Sequence, residues 1–279
     1  AGLVWFTTTV AGTDQVSGSP VTLGPLSSPA VLLQAPGALW ASVWVSHSSR
    51  NVGQDFMLVV TASNTGGARV DGVSAPPFPA GTGTAVLSAG PWPAGPASLS
   101  AGESVTWTWT WTAASAGLLD FTVTAAGIDS NSGAVTASAP AASAPVLLTL
   151  PSALSAALNA FPMPRNTGQS FLVTLTVTND GGAPAVGVDA APFAVDGTGG
   201  LAGSGPEPFL PADLPGGTGA TFTWTFTGSL AGVSWLTTTV TGVDANSGTA
   251  LSSGPVVSPP ITVELPAALS ALIAAPSGA

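Results

Sequence analysis

The sequence predicts an all-β protein built of tandem β-sandwich domains, each about 115 residues long. Three features support this prediction: short runs of alternating apolar and polar residues, frequent turn residues between those runs, and a long internal repeat. Glycine and proline contribute 35 and 26 of the 279 residues. Turn residues at this density between β-branched and aromatic runs are typical of many short strands, not of a helical bundle.

The repeat is clearest in three related segments. They read GLVWFTTTVAGTDQVSG, GLLDFTVTAAGIDSNSG and GVSWLTTTVTGVDANSG, and they begin at Gly2, Gly117 and Gly232, which are 115 residues apart. A unit of this length fits one whole sandwich domain and is too long for a solenoid turn. The period predicts four parts: C-terminal strands of a partial repeat at 1–25, complete repeats at 26–140 and 141–255, and N-terminal strands of a further partial repeat at 256–279.

Alternation within the first complete repeat predicts the positions of individual strands. The segment from Pro36 to Ser46 is the least clear, because its counterpart PSALSAALNAFP begins with a proline and could open a helix. The alternation of Leu39, Ala41 and Val43 with bulky or polar neighbours favours a strand there. The predicted strands lie at about 30–35, 38–46, 54–64, 69–74, 82–89, 103–112, 117–126 and 132–138.

Composition excludes several classes of function. Only 6% of the residues are charged, and 3 basic residues stand against 13 acidic ones, which gives a net charge of −10. Without basic clusters the chain cannot neutralise nucleic-acid phosphates or dock to an anionic membrane. No apolar run approaches the roughly 20 residues of a membrane helix, so membrane insertion is not expected. The absence of cysteine removes disulfides and thiolate chemistry.

Two segments resemble a known family. GQDFMLVVTASNTGGARVDGV, from Gly53 to Val73, and GQSFLVTLTVTNDGGAPAVGV, from Gly168 to Val188, resemble the second and third strands of CARDB-like immunoglobulin-fold repeats of bacterial surface proteins. The shared pattern is a Gly-Gln pair, a long alternating strand and an Asn-x-Gly-Gly turn. The resemblance implies extracellular or surface-anchored arrays that act as stalks, adhesins or fibres, and it implies no catalytic residues. This chain departs from the family in having almost no surface charge.

The sequence VTWTWTWT places three tryptophans at alternating positions. A strand points such residues to one face of its sheet, either as a ligand platform or as core. Exchange of Phe for Trp between the repeats indicates that volume matters more than the indole N–H, which favours a core. The residues predicted to form this core stripe are Trp107, Trp109 and Trp111 in the first repeat and Phe222, Trp224 and Phe226 in the second.

Other tryptophans align with polar residues of a sister repeat. Burying an unpaired carboxylate is costly, so such positions are predicted to be exposed. Either neighbouring loops cover these side chains within the chain, or they pack against another domain or another copy; exposed Trp is enriched at binding hot spots. Trp40 and Trp44 align with Ser155 and Asn159, Trp92 aligns with Glu207, and Trp5 and Trp235 align with Asp120; these five tryptophans are interface candidates.

The recurring acids invite a metal hypothesis. Asp14, Asp129 and Asp244 lie in the turns GTDQVSG, GIDSNSG and GVDANSG, which partly resemble a calcium-binding loop. A calcium site usually needs a bidentate carboxylate as well, and no Glu follows at a suitable spacing. A turn capped by its own Asp side chain is therefore predicted, without a metal. His47 has no accompanying nucleophile motif. We expect no catalytic residues, no cofactor and no enzyme activity.

Three functions fit these features. The favoured one is a non-catalytic structural protein at the cell surface or outside the cell, forming a filament, sheath or stalk by head-to-tail association with copies of itself. The alternative is an adhesin or carbohydrate-binding array whose exposed tryptophans stack on surface glycans; a hydrolase accessory module would need a catalytic partner. The partial repeats are explained either as part of a longer array whose remaining residues lie outside this sequence or as strands completed by neighbouring copies, as in β-strand donation. In both cases we expect Phe6 and Leu269 to be buried in the assembled state by residues outside the two complete repeats.

Overall fold

The computed structural model describes residues 2–273, and these residues form 28 strands and no helix. The predicted all-β fold of tandem β-sandwich domains is confirmed. The chain divides into two compact units. Unit 1 comprises the residues up to Ser48 together with Asp55–Leu147, and unit 2 comprises Ser49–Gln54 together with the residues from Leu148 onward.

The strands alternate with short turns along the whole described chain. The first seventeen are β1 (Gly2–Val4), β2 (Thr7–Thr13), β3 (Pro20–Ser27), β4 (Val31–Leu33), β5 (Leu39–Val45), β6 (Ser49–Asn51), β7 (Asp55–Asn64), β8 (Val70–Ser74), β9 (Pro77–Gly81), β10 (Thr84–Trp92), β11 (Ala97–Leu99), β12 (Ser104–Ser115), β13 (Gly117–Val123), β14 (Ala126–Asp129), β15 (Val135–Ala137), β16 (Ala141–Ala142) and β17 (Val146–Thr149). The others are β18 (Leu154–Phe161), β19 (Arg165–Asn166), β20 (Ser170–Asn179), β21 (Ala185–Ala190), β22 (Ala194–Gly197), β23 (Gly200–Glu207), β24 (Ala212–Leu214), β25 (Gly219–Leu230), β26 (Gly232–Asp244), β27 (Ala250–Val257) and β28 (Ile261–Glu264).

Unit 1 has one regular sheet and a divided opposite layer. The regular sheet has the order β10-β12-β7-β5 and is antiparallel throughout. The opposite layer contains a sheet of order β11-β8-β14-β15 and a second sheet in which β13 pairs with β9 and β16. The N-terminal strands form two separate pairs, β1 with β4 and β2 with β3.

Unit 2 repeats this arrangement with a more continuous opposite layer. Its regular sheet has the order β18-β20-β25-β23. A single seven-stranded sheet faces it, in which β26 is the long central strand and pairs with β21, β22, β27 and β28. The strand β19 pairs in parallel with β28.

The core of each unit lies between its two layers because alternate residues of every long strand point inward. In β7 the inward residues Phe56, Leu58 and Val60 are buried, and they are paired with the alternating residues of β12. The equivalent residues of β20 in unit 2 are buried in the same way. One apolar face per strand is the pattern that the alternation in the sequence predicted.

Of two strand predictions, one agrees with the structure and the other differs from it. The uncertain segment from Pro36 to Ser46 forms the strand β5, as its alternation predicted. The strand predicted at 117–126 is instead two strands, β13 and β14, that belong to different sheets.

The repeat period alone does not define where one repeat ends and the next begins. In unit 2 the buried strand β28 pairs with β26, and the strands equivalent to β28 end near residues 33 and 148. The division at 25, 140 and 255 therefore stays a prediction.

Candidate functional site

The three tryptophans of the stripe in unit 1 point into the space between the sheets. The side chains of Trp107, Trp109 and Trp111 are buried. The register of β12 against β7 places Trp111 opposite Phe56, and the ring of Trp111 lies 5.0 Å from that of Phe121 on the opposite layer. These contacts are those of a sandwich core.

The equivalent aromatic residues of unit 2 occupy the same layer. Phe222 and Phe226 are buried, and Trp224 is partly buried. The ring of Phe226 is 6.0 Å from that of Phe171 and 5.9 Å from that of Phe193. Phenyl rings in unit 2 therefore replace two of the three indoles of unit 1.

Three interface candidates lie on the outer face of the regular sheet of unit 1. Trp40 and Trp44 are more than half exposed, and Trp92 is 77% exposed. The register places Trp44 opposite Val59, Val59 opposite Thr108 and Thr108 opposite Trp92. A row across four strands thus begins and ends with a tryptophan and contains no charge. We call this the aromatic row.

The residues beside the aromatic row are hydroxyl-bearing. The hydroxyl oxygens of Thr61 and Thr106 lie 2.9 Å apart, and those of Ser63 and Ser104 lie 2.7 Å apart. Because the hydroxyls of each pair bond to each other, a partner can cover these two pairs without leaving their hydroxyls unpaired. In unit 2 the positions of Trp40, Trp44 and Trp92 are held by Ser155, Asn159 and Glu207, so the aromatic row belongs to unit 1.

The remaining interface candidates lie outside the aromatic row. Trp5 is more than half exposed, whereas Trp235 is 37% exposed and pairs with Asp196 across the β22–β26 ladder. Leu269 is fully exposed. Phe6 belongs to the N-terminal strands and is 67% exposed.

The N-terminal strands carry core-type residues on an open face. Phe6 is equivalent by the repeat to Phe121 and Leu236, and both of these are completely buried. Val10, Val31 and Leu33 show the same contrast and are about half exposed. Val10 is equivalent to the buried residues Ala125 and Val240, Val31 to Val146 and Ile261, and Leu33 to Leu148 and Val263. Because the equivalents of Phe6, Val10 and Val31 belong to one core cluster in unit 2, we call Phe6, Val10, Val31 and Leu33 together the N-terminal apolar face.

The recurring aspartates cap their own turns. In unit 1, Asp129 accepts main-chain N–H bonds from Asn131 and Ser132 and a 2.6 Å bond from Gly37. Hydrogen bonds from Gly37, then Ser132 and Asn131, lower the pKa of Asp129 to about 2. Gly133 closes the turn with a φ of 72°, a conformation that favours glycine. The carboxylate is thus occupied by N–H donors.

In unit 2, Asp244 is the centre of a larger buried network. It accepts bonds from the N–H and the hydroxyl of Ser152, both at 2.7 Å, and two bonds of 2.9 Å from the side-chain amide of Asn51. Burial opposes ionisation of Asp244, but the bonds from Ser152, Ser247 and Asn51 outweigh it and lower its pKa. The side-chain amide of Asn246 also bonds to Asn51, at 2.9 Å. The network joins three segments of the unit.

The sequence analysis missed a cavity beside the tryptophan stripe of unit 1. It has a volume of about 510 Å³ and is lined by Trp107, Trp109 and Trp111, by Leu87 and by the segment Ser74–Pro77, with Pro91, Gly95 and Pro96 at its border. The indole N–H of Trp107 donates to the carbonyl of Gly95 at 3.3 Å. The buried indole N–H of Trp111 has no acceptor among the residues that the structure describes.

A one-residue difference in strand register accompanies this cavity. In unit 1, Phe78 pairs with Thr122. The residue of unit 2 equivalent to Thr122 is Thr237, and Thr237 pairs with Ala194, which is one residue after Phe193, the equivalent of Phe78. Because side chains alternate along a strand, a shift of one residue reverses the face on which each side chain lies. Phe78 is 70% exposed, while the ring of Phe193 packs 4.9 Å from that of Trp224.

Within residues 2–273 no group of three or more His, Cys, Asp or Glu side chains is arranged to hold a metal ion. The described part of the chain also contains no helix of sufficient length and apolarity to cross a membrane.

Comparison with known proteins reveals weak structural likenesses. No protein-family model and no curated protein sequence matches the chain. It is similar to red sea bream transglutaminase, with 15% identity, 81% of this chain and 31% of that chain covered, and a TM-score of 0.29. It is similar to the adhesin InvE of Yersinia pseudotuberculosis, with 14% identity, coverages of 82% and 61%, and a TM-score of 0.27.

A third likeness is to the C-terminal domain of the AgI/II polypeptide BspA of Streptococcus agalactiae. The identity is 10%, the alignment covers 78% of this chain and 99% of that domain, and the TM-score is 0.31. The chain therefore spans about a third of the transglutaminase and less than two thirds of InvE.

Proposed function

We propose that the protein is a non-catalytic structural component whose repeats associate head to tail with copies of itself into an extracellular filament, sheath or surface stalk. The observation that carries this proposal is the N-terminal apolar face. Its four side chains are exposed, although their equivalents in both units lie in the core. Full burial of one such side chain contributes about 1.5–3 kcal/mol, so the face favours a partner.

The form of the partner follows from the repeat. In unit 2 the equivalents of this face are covered by the regular sheet β18-β20-β25-β23. The complement is therefore a β-sheet with an apolar face, supplied either by another copy or by a further repeat of a longer chain. A surface that binds a different surface on the next copy makes a heterologous contact, and such contacts extend into filaments when they do not close. The few charges of the chain offer little repulsion against this association. The CARDB-like resemblance points to the same kind of surface array.

The experiment is negative-stain microscopy of the full chain together with sedimentation velocity at increasing protein concentration. We expect strings or filaments of regularly spaced domains and a weight-average mass that rises with concentration. Isolated two-domain particles whose mass does not change up to high concentration would contradict the proposal.

The aromatic row favours a second candidate, an adhesin or carbohydrate-binding array. Trp44 and Trp92 lie on one flat face, and indole rings in such positions stack on apolar faces of sugars. Pull-down with insoluble cellulose and chitin tests it. Retention that is lost in Trp44→Ala and Trp92→Ala, but kept in Phe6→Ser, would support glycan binding independently of assembly; no retention of the parent protein would contradict it.

A further inference from the structure

We propose that the cavity beside the tryptophan stripe of unit 1 is a binding site for a small, uncharged aromatic molecule. Its volume of about 510 Å³ lies within the range of small-molecule sites, which are mostly apolar with a few polar groups. The site is independent of the assembly proposed above, because the N-terminal apolar face and the aromatic row contribute none of its lining.

Unit 2 indicates which occupant fits. At the equivalent place it inserts the ring of its own Phe193 against Trp224 and Phe226, at 4.9 Å and 5.9 Å and nearly edge-on. Edge-to-face packing at these distances is the favourable geometry for aromatic pairs. In unit 1 the shifted register holds Phe78 on the exposed side of β9, so three indoles face a space that an aromatic ring fills in the sister unit.

The lining also excludes other classes of ligand. Ser74 is its only residue with a polar side chain apart from the indoles, and no carboxylate, amide or basic group lines it. A sugar would leave several hydroxyl groups unpaired there, and an ionised molecule would leave its charge unpaired. An uncharged aromatic ligand meets neither penalty.

The test is isothermal titration of the full chain with two matched two-ring probes, 2-acetylnaphthalene and 2-ethylnaphthalene. The ionised 2-naphthoate, of similar size, is the control. We expect saturable binding of one molecule of either uncharged probe per chain and no saturable binding of 2-naphthoate, because the lining has no group that would pair its carboxylate. Absence of saturable binding of either probe would overturn the proposal.

Variants locate the site. Leu87→Trp should fill the cavity and abolish binding, whereas Val86→Trp, the neighbouring exposed position that is not part of the lining, should not change it. Equal effects of Leu87→Trp and Val86→Trp would overturn the assignment.

Phe78 is the competing occupant. If its ring fills the cavity in solution, Phe78→Ala will create or strengthen binding, and that result would overturn the proposal. With Phe78 outside, as the structure places it, the dissociation constants of both probes should stay the same in Phe78→Ala.

Discussion

The main-chain N–H of Phe6 donates a 3.0 Å hydrogen bond to the hydroxyl of Ser28, 22 residues later. The same bond, at the same length, joins Phe121 to Ser143 in unit 1 and Leu236 to Ser258 in unit 2. The N-terminal strands therefore keep the local hydrogen bonding of a complete repeat while their apolar side chains stay open. In the N-terminal strands the main-chain hydrogen bonding of a repeat thus forms without burial of the apolar side chains.

Phe6→Ser should weaken association of the chain without unfolding either unit, because the side chain is exposed and its hydrogen bond is made by the main chain. Sedimentation velocity should show a lower average mass at each concentration. Val16→Ser is the matched control, since Val16 lies in the turn of the same segment and is almost fully exposed. Equal mass distributions for Phe6→Ser and the parent protein would contradict the prediction.

Trp109→Ala should destabilise unit 1 by about 3–5 kcal/mol, the usual cost of truncating a buried aromatic residue. Because small domains are stable by about 5–15 kcal/mol, calorimetry should show the transition of unit 1 at a much lower temperature. Trp40→Ala and Trp92→Ala remove exposed side chains and should leave melting nearly unchanged while weakening assembly. A large loss of stability in Trp40→Ala, together with parent-like melting of Trp109→Ala, would reverse the two assignments.

Phe193→Ala should open in unit 2 a cavity like that of unit 1. We expect the stoichiometry of 2-ethylnaphthalene to rise from one to two molecules per chain in isothermal titration. The cost in stability should be at most about 3 kcal/mol, because Phe193 is only partly buried. A stoichiometry that stays at one would show that the ring of Phe193 is not what fills this space.

Acid should weaken unit 1 through Asp129. Its pKa is lowered in the folded protein from 3.8 to about 2, so the folded state binds the proton less readily than the unfolded state. The stabilisation is therefore complete above about pH 4 and is lost as the pH falls through about 2. The melting temperature measured between pH 5 and pH 2 should fall less steeply in Asp129→Asn than in Asp120→Asn, which removes a charge elsewhere in the unit.

Removal of divalent metal should not change stability, because N–H donors already occupy the carboxylates of Asp129 and Asp244. Differential scanning calorimetry with and without EDTA should give the same melting temperatures. A decrease of several degrees that calcium reverses would contradict this prediction and would reinstate the calcium-loop interpretation of these turns.

The fold was accessible from the sequence because its causes are local and repeated. Two-residue alternation defines one buried face per strand, as in Phe56, Leu58 and Val60, and the period aligns each strand with its equivalent. Substitution between repeats also predicted exposure, since a site occupied by Trp92 in one copy and Glu207 in the other suits a surface. These inferences need no knowledge of which strands pair.

The cavity was not accessible in this way, because it depends on pairing. Both repeats carry Pro-Phe at the relevant place, namely Pro77-Phe78 and Pro192-Phe193. The sequence signal for a different register was Pro79, which stands where unit 2 has Ala194. Proline has no N–H to give to the ladder, so β9 cannot reproduce the bonding of β22 at that point. The register that β9 adopts instead depends on the pairing of the whole sheet.

The register difference also has an evolutionary consequence for a protein assembled from duplicated domains. Phe78 and Phe193 are the same amino acid at the same place in the period, and an alignment scores the position as unchanged. The two copies have nevertheless diverged, because a strand that slides by one residue converts a core side chain into a surface one. A duplicated sandwich can thus gain an internal vacancy without losing the residue that once filled it, and can lose that vacancy again by sliding back.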